Sequence, residues 1–219
     1  MKLVLTSGGI SNKSIESELR NILGRDFDGL KMLFCTTASN FDGGEMNDWL
    51  IRDIEYFKNL GFKIDICDIN GISLDRLLPR LEETDIFFFE GGNTQWLRKC
   101  IKETGLESHL PKLLESRVWI GASAGSCVLC PTVCNSVQDL FDENIDGYPT
   151  DGLGFVDFQF VPHLNNDMCP KIKKENIVNA SKDLSEIDGK KLYVCDDKGA
   201  VFVDGDNIKV VSEGVWFEI

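Results

Sequence analysis

Histidine is scarce in this chain: His109 and His163 are the only two among 219 residues. With two imidazoles and a single C-x-x-C pair, Cys127-Val128-Leu129-Cys130, no second C-x-x-C or nearby histidine completes a four-ligand zinc site, and no metal is expected. Basic residues are also in deficit. Lys and Arg total 23 against 36 Asp and Glu, a net charge of −13, which argues against nucleic acid and anionic membranes as partners. No apolar stretch is long enough to cross a bilayer, and the run after Met1 is too short for a signal peptide, so a cytoplasmic protein is expected. There is neither a G-x-G-x-x-G loop nor a glycine loop followed by Lys-Ser/Thr, which leaves nucleotide binding without support and implies no cofactor. Repeats, linkers and low-complexity tracts are missing as well. With 42% hydrophobic residues, the chain reads as one domain over 1–219.

What is present is an alternation of strand-like and helix-like segments through the first 130 residues, the pattern of a parallel sheet with helices on both faces. Residues 2–7, 32–38, 63–69 and 86–89 read as strands. The intervening helices carry apolar faces, such as Ile15, Leu19, Ile22 and Leu23, or Met46, Leu50, Ile54, Phe57 and Leu60 opposite Asp48, Arg52 and Glu55. Ser73 and Thr94 are placed to cap two of the helices. After Pro131 the pattern changes to an acidic, turn-rich stretch, a strand over 155–162, a charged helix from about residue 170 and a C-terminal β-meander. One of the meander's turns is Asp197-Lys198-Gly199. Cys35, Cys67, Cys100 and Cys195 sit inside apolar patterns, and Cys127 and Cys130 in an apolar helix, so the thiols read as small buried hydrophobes.

Chemistry concentrates at Gly121-Ala122-Ser123-Ala124-Gly125, directly after the apolar strand Val118-Trp119-Ile120. A serine flanked by small residues between a strand and a helix has the form of a nucleophile elbow, although the motif alone also fits a tight loop with a solvated serine. Such a serine needs a base, and only two histidines are available. His109 lies in a polar connection between helices, where a surface role suffices. His163 ends the apolar run Phe158-Gln159-Phe160-Val161-Pro162 and so emerges where α/β folds build their sites, which makes it the expected base. The loop Glu90-Gly91-Gly92-Asn93-Thr94 follows another strand on the same edge, and the amides of Gly91 or Gly92, with that of Ala124, are candidates for an oxyanion hole.

Phe89-Glu90-Gly91-Gly92-Asn93-Thr94, Ile120-Gly121-Ala122-Ser123-Ala124-Gly125-Ser126, Cys130-Pro131-Thr132, Gly152-Leu153-Gly154 and Phe158-Gln159-Phe160-Val161-Pro162-His163-Leu164, in that order, resemble the dipeptidase E (aspartyl dipeptidase) family of serine peptidases. The resemblance spans most of the chain. It implies a flavodoxin-like α/β sandwich akin to class I glutamine amidotransferases, with serine in place of their cysteine and without a metal. It also implies Ser123 as nucleophile, His163 as base, and Gly91, Gly92, Asn93 and Ala124 around the substrate carbonyl. Where the family has its triad acid this chain has Gln138, with Asp139 beside it and Asp142 and Glu143 close by; Asp139 is the carboxylate expected to act. The arginine that gives the family its preference for an N-terminal aspartate is absent, and the stretch reads Lys171-Ile172-Lys173-Lys174. The expected activity is hydrolysis of short peptides, including dipeptides with an acidic first residue, by a monomer or homodimer. An α/β-hydrolase-type esterase and a binding module that kept the fold after losing the acid remain alternatives.

Overall fold

The computed structural model describes residues 1–41 and 48–219. Met46, expected on an apolar helix face, lies outside the described residues. Five parallel strands make up most of a seven-stranded sheet: β1 (Lys2–Thr6), β2 (Lys31–Cys35), β3 (Lys63–Cys67), β4 (Ile86–Phe89) and β5 (Val118–Ala122). Their spatial order is β3-β2-β4-β5-β1, so the strand that precedes Ser123 sits between two parallel neighbours. The connections are helical: α1 (Lys13–Leu23), α2 (Asp48–Asn59), α3 (Leu74–Glu82), α4 (Thr94–Glu103) and the short α5 (Leu110–Leu113).

Strand residues alternate between the two sheet faces, and each face finds its own helices. Leu3, Leu5, Leu33, Cys35, Phe87, Phe89 and Trp119 pack with Leu77 and Leu81 of α3 and with Leu97, Cys100 and Ile101 of α4. Val4, Met32, Phe34, Ile86, Phe88, Val118 and Ile120 pack on the other face with Ile15, Leu19 and Ile22 of α1 and Phe57 of α2. Because both faces are covered, the central strands need no polar alternation, which explains the continuous run Ile86-Phe87-Phe88-Phe89.

Two helix starts depart from expectation. Asn93, rather than Thr94, caps α4: its side-chain oxygen accepts the Trp96 N–H at 2.8 Å. Ser73 does occupy the cap position of α3, but its side chain makes no capping bond.

The C-terminal strands divide between two sheets. After α6 (Ala124–Cys127) come β6 (Gln159–Val161), α7 (Lys174–Ala180), β7 (Leu192–Cys195), β8 (Gly199–Asp204), β9 (Asn207–Ser212) and β10 (Trp216–Glu218). The β8–β9 hairpin extends the main sheet antiparallel to β1, while β10, β7 and β6 form a separate three-stranded sheet in which β6 and β7 run parallel. The small sheet has its own apolar cluster, with Val161, Leu192 and Val194 against Leu164, Ile172 and Ile177. Among the described residues no helix is long and apolar enough to cross a membrane.

Backbone packs closely on backbone behind Ser123. A side chain on Gly121 would begin 2.2 Å from the Gly125 carbonyl oxygen, and one on Gly125 would begin 1.9 Å from the Phe89 carbonyl oxygen. Helix α6 therefore rests directly on the backbone of β4 and β5. The Trp119 indole donates to the Gly125 carbonyl at 2.9 Å and stacks on Phe89 at 3.8 Å, tying the same three segments together. Gly125→Ala is expected to lower folding stability by about 2–4 kcal/mol through overpacking, read as a fall in thermal midpoint. A wild-type midpoint would mean that α6 can move away from the sheet without cost.

Candidate active site

Ser123 stands between β5 and α6 with φ 47° and ψ −108°, a backbone conformation that a side-chain-bearing residue adopts only when its surroundings enforce it. The enforcement is visible: the Ser123 N–H donates to the Thr6 carbonyl at 3.0 Å, and the Ser123 carbonyl accepts the N–H groups of Ser126 and Cys127 at 2.9 Å each. The Ser126 hydroxyl lies 2.8 Å from the Gly121 carbonyl oxygen and 2.9 Å from that of Thr6, closing the base of the turn. The strand-turn-helix context expected for an elbow is therefore present.

His163 follows β6, also with positive φ (64°), and its Nε2 lies 2.9 Å from Ser123 Oγ. On the other side of the ring, Nδ1 lies 2.6 Å from Asp197 Oδ1. A carboxylate only accepts, so Nδ1 carries the proton, and Nε2 is left as an acceptor for the serine hydroxyl. Asp197 is held by two further donors, the Ser7 hydroxyl on Oδ1 at 3.0 Å and the Asn166 amide on Oδ2 at 2.5 Å. Partial burial pushes its carboxyl up, but the bond and charge of His163, then the Asn166 and Ser7 bonds, outweigh that and bring it down to about 2. Asp197 is consequently ionised wherever His163 can act as a base.

The acid expected from the sequence lies elsewhere. Asp139 sits in a 3₁₀ turn (Gln138–Phe141), where one of its oxygens accepts from Asn144. Gln138 donates to the Phe160 carbonyl at 3.4 Å, Asp142 pairs with Lys171, and the carbonyl of Glu143 accepts the Asn93 amide at 3.0 Å. The carboxylate on His163 is Asp197, from the turn Asp197-Lys198-Gly199. The missed signal is the parallel pairing of β6 with β7. Val161 is in register with Val194, so the residues just beyond the two strand ends, His163 and the Asp196-Asp197 pair, emerge side by side. His109, by contrast, begins α5, which leads into the amino end of β5, the end away from Ser123.

Of the expected oxyanion donors, Gly91 is occupied. Its N–H donates to the Glu90 carboxylate at 3.0 Å. The position of Gly91 is nonetheless intimate, since a side chain there would begin 3.3 Å from Ser123 Cβ. Among the described residues no acceptor takes the Gly92 or Ala124 N–H, so these two amides remain available to an incoming oxygen. Gly92, at φ 129°, lies on the Ala38 backbone, and the Ser39 hydroxyl donates to the Gly91 carbonyl at 2.8 Å, which sets the loop's height above the sheet. Asn93 anchors the end of the loop through its cap and its bond to Glu143.

Cys127 and Cys130 are fully buried beneath the elbow, and burial pushes the Cys130 thiol up to about 12 and that of Cys127 well above its ordinary value. Both are inert packing groups at neutral pH.

A family model described as peptidase family S51 matches residues 3–211. An uncharacterized peptidase of Listeria monocytogenes serovar 1/2a is 26% identical over 183 residues, covering 82% of this chain and 85% of that protein. Peptidase E of a Nostoc species is 29% identical over 154 residues, 70% of this chain and 59% of that protein. Among solved structures, a candidate peptidase E from L. monocytogenes EGD-e superposes with a TM-score of 0.78 at 22% identity, over 97% of this chain and 98% of that one.

Glu90 is the unusual charge near this site. It is 2% exposed, one of its oxygens accepts only the adjoining Gly91 N–H, and the other, Oε2, has no partner among the described residues. Burial, and after it the negative charge of Asp53, pushes the Glu90 carboxyl up to about 8. The folded protein thus holds a proton on Glu90 that the unfolded chain has released, and stability falls as pH rises from about 4.5 through about 8. Glu90→Gln, which keeps the acceptor and removes the titration, is expected to gain roughly 1–4 kcal/mol over the wild type between pH 5 and pH 9 in denaturant unfolding. A difference between the two proteins that does not change with pH would contradict this.

Proposed function

Since this chain belongs to peptidase family S51 and is a serine-type peptidase, we propose that Ser123, His163 and Asp197 are its nucleophile, base and acid, and that short peptides are its substrates. The observation that carries the reading is the continuous hydrogen-bonded line from Ser123 Oγ through both nitrogens of His163 to Asp197. His163 Nε2 takes the hydroxyl proton as Oγ attacks the scissile carbonyl, and the carbonyl oxygen, now negative, is received by the N–H groups of Gly92 and Ala124. The imidazolium, stabilised by Asp197, returns its proton to the departing amine, leaving an acyl-enzyme. Water activated by the same ring releases the acid and restores the serine.

Asp197 in contact with the ring supports catalysis over a module that has lost its acid. The eight unpaired cysteines support a cytoplasmic setting. An acidic first residue needs a local cation, because a protein of net charge −13 does not steer anions from a distance. Lys171 is engaged by Asp142, and Lys174 lies over the Phe217 ring at 5.1 Å, so Lys173 is the cation proposed to select acidic substrates.

Fluorophosphonate is expected to label Ser123 in the wild type and to fail after His163→Ala. Asp197→Ala should lower kcat on short peptides by about 10²- to 10⁴-fold, whereas Asp139→Ala should stay within about twofold of the wild type. The reverse ranking would return the acid to Asp139. On a dipeptide panel, Lys173→Ala should reduce kcat/KM for acidic first residues by roughly 3- to 10-fold relative to neutral ones, and an unchanged ratio would remove Lys173 from recognition.

A further inference from the structure

Ser7 has no part in the chemistry just described, yet it occupies the point where the pieces of the site meet. In the parallel register of β1 and β5, Thr6 pairs with Ala122, so the next positions along the two chains are Ser7 and Ser123. On its other side the Ser7 N–H donates to the Gly199 carbonyl at 3.1 Å, at the start of β8 and just beyond Asp197. The residue is 1% exposed.

Its hydroxyl makes two bonds at once. Ser7 Oγ accepts the main-chain N–H of His163 at 2.8 Å and donates to Asp197 Oδ1 at 3.0 Å, the same oxygen that receives the His163 ring. One proton and two lone pairs allow both. Each bond answers a structural need. His163 belongs to the small sheet, whereas Ser123 belongs to the main one, and the histidine backbone is in the left-handed region that favours glycine. The neighbouring Gly8 packs so closely that a side chain there would begin 3.0 Å from Asp197 Cβ, so the turn after β1 supports the acid from below.

We propose that Ser7 is a positioning residue for hydrolysis: its hydroxyl fixes the His163 main chain and Asp197 Oδ1 to one point on the main sheet, so that the ring spans from Ser123 to the acid. The proposal rests on the reading of Ser123, His163 and Asp197 as the reacting triad. Asn166 provides a contrast, since its side-chain amide donates only to Asp197 Oδ2, while its bond to the His163 carbonyl at 3.0 Å comes from its own main-chain N–H, which an alanine there would keep.

The test uses the full chain with Ser7→Ala, Ser7→Cys and Ser7→Thr. Alanine removes both bonds, cysteine keeps the bulk without a strong hydrogen-bonding oxygen, and threonine keeps the hydroxyl. For Ser7→Ala and Ser7→Cys, kcat should fall about 10- to 100-fold with KM within about twofold, as expected for a displaced base. Labelling of Ser123 by fluorophosphonate should slow in parallel. The low-field ring-proton resonance of His163, assignable because the chain has one other histidine, should move upfield. Ser7→Thr should stay within several-fold of the wild type, and Asn166→Ala should be milder than Ser7→Ala. Should Ser7→Ala fail to fold, Ser7→Cys carries the comparison. Wild-type kcat, labelling and resonance in Ser7→Cys would overturn the proposal, as would a change confined to KM or a threonine variant as slow as the alanine one. A wild-type protein that does not label at Ser123 would instead sink the triad itself, and the role of Ser7 with it.

Discussion

The contact of helix α6 with the backbone of β4 and β5 is the constraint on which the site depends. Two glycines, Gly121 and Gly125, let the helix come so close that no side chain fits between. At that separation the chain must turn within one residue, and Ser123 takes up the left-handed conformation that results. Among the described residues no acceptor takes the N–H of Ala124 or of Gly92, which lie just beyond the ends of β5 and β4. The buried cysteines below the elbow are a consequence of that closeness: small, apolar groups fill the space that α6 leaves over the sheet.

The second organising feature is the seam between the two sheets. Ser123 and Ser7 come from the carboxyl edge of the main sheet, His163 from β6 of the small sheet, and Asp197 from the link that leaves β7 in the small sheet and enters β8 in the main one. Neither sheet holds the whole line of hydrogen bonds. Asp197 can face His163 because β6 and β7 are parallel and end together, and it can face Ser7 because β8 runs antiparallel to β1. The electrostatics follow from this placement. Asp197 stays ionised through its three donors, while Glu90, buried with one oxygen that has no partner among the described residues, is held neutral to about pH 8. The two carboxyl groups thus differ in charge because Asp197 has three donors, whereas Glu90 has the single Gly91 N–H against burial and a like-charged neighbour.

Local patterns were readable wherever a short stretch of chain decided the outcome. The apolar faces of α1 and α2, the Phe-rich β4 and the elbow around Ser123 depend on neighbours in sequence, and the expected and observed elements coincide there. Small errors arose where two adjacent residues competed for one role, as when Asn93 took the cap expected of Thr94, its longer amide reaching the Trp96 N–H while its other end bonds across to Glu143. Gly91 was a natural oxyanion candidate by position, but its amide turns to the side chain of the preceding Glu90, a bond that no spacing rule foretells.

The carboxylate in contact with His163 marks the boundary most clearly. Counting along the chain from Cys130-Pro131-Thr132 led to Gln138 and Asp139, because a family pattern carries distances in sequence; the structure instead brings in Asp197 from 34 residues beyond His163. By itself the sequence singled out Ser123 and His163: the elbow is a local steric event, and only two histidines are available to meet it. The contact of Asp197 with His163 and the Ser7 link were decided by tertiary structure alone. Each depends on which strand ends lie side by side, and that is set by how the C-terminal strands divide between two sheets, a long-range pairing that residue order does not encode locally.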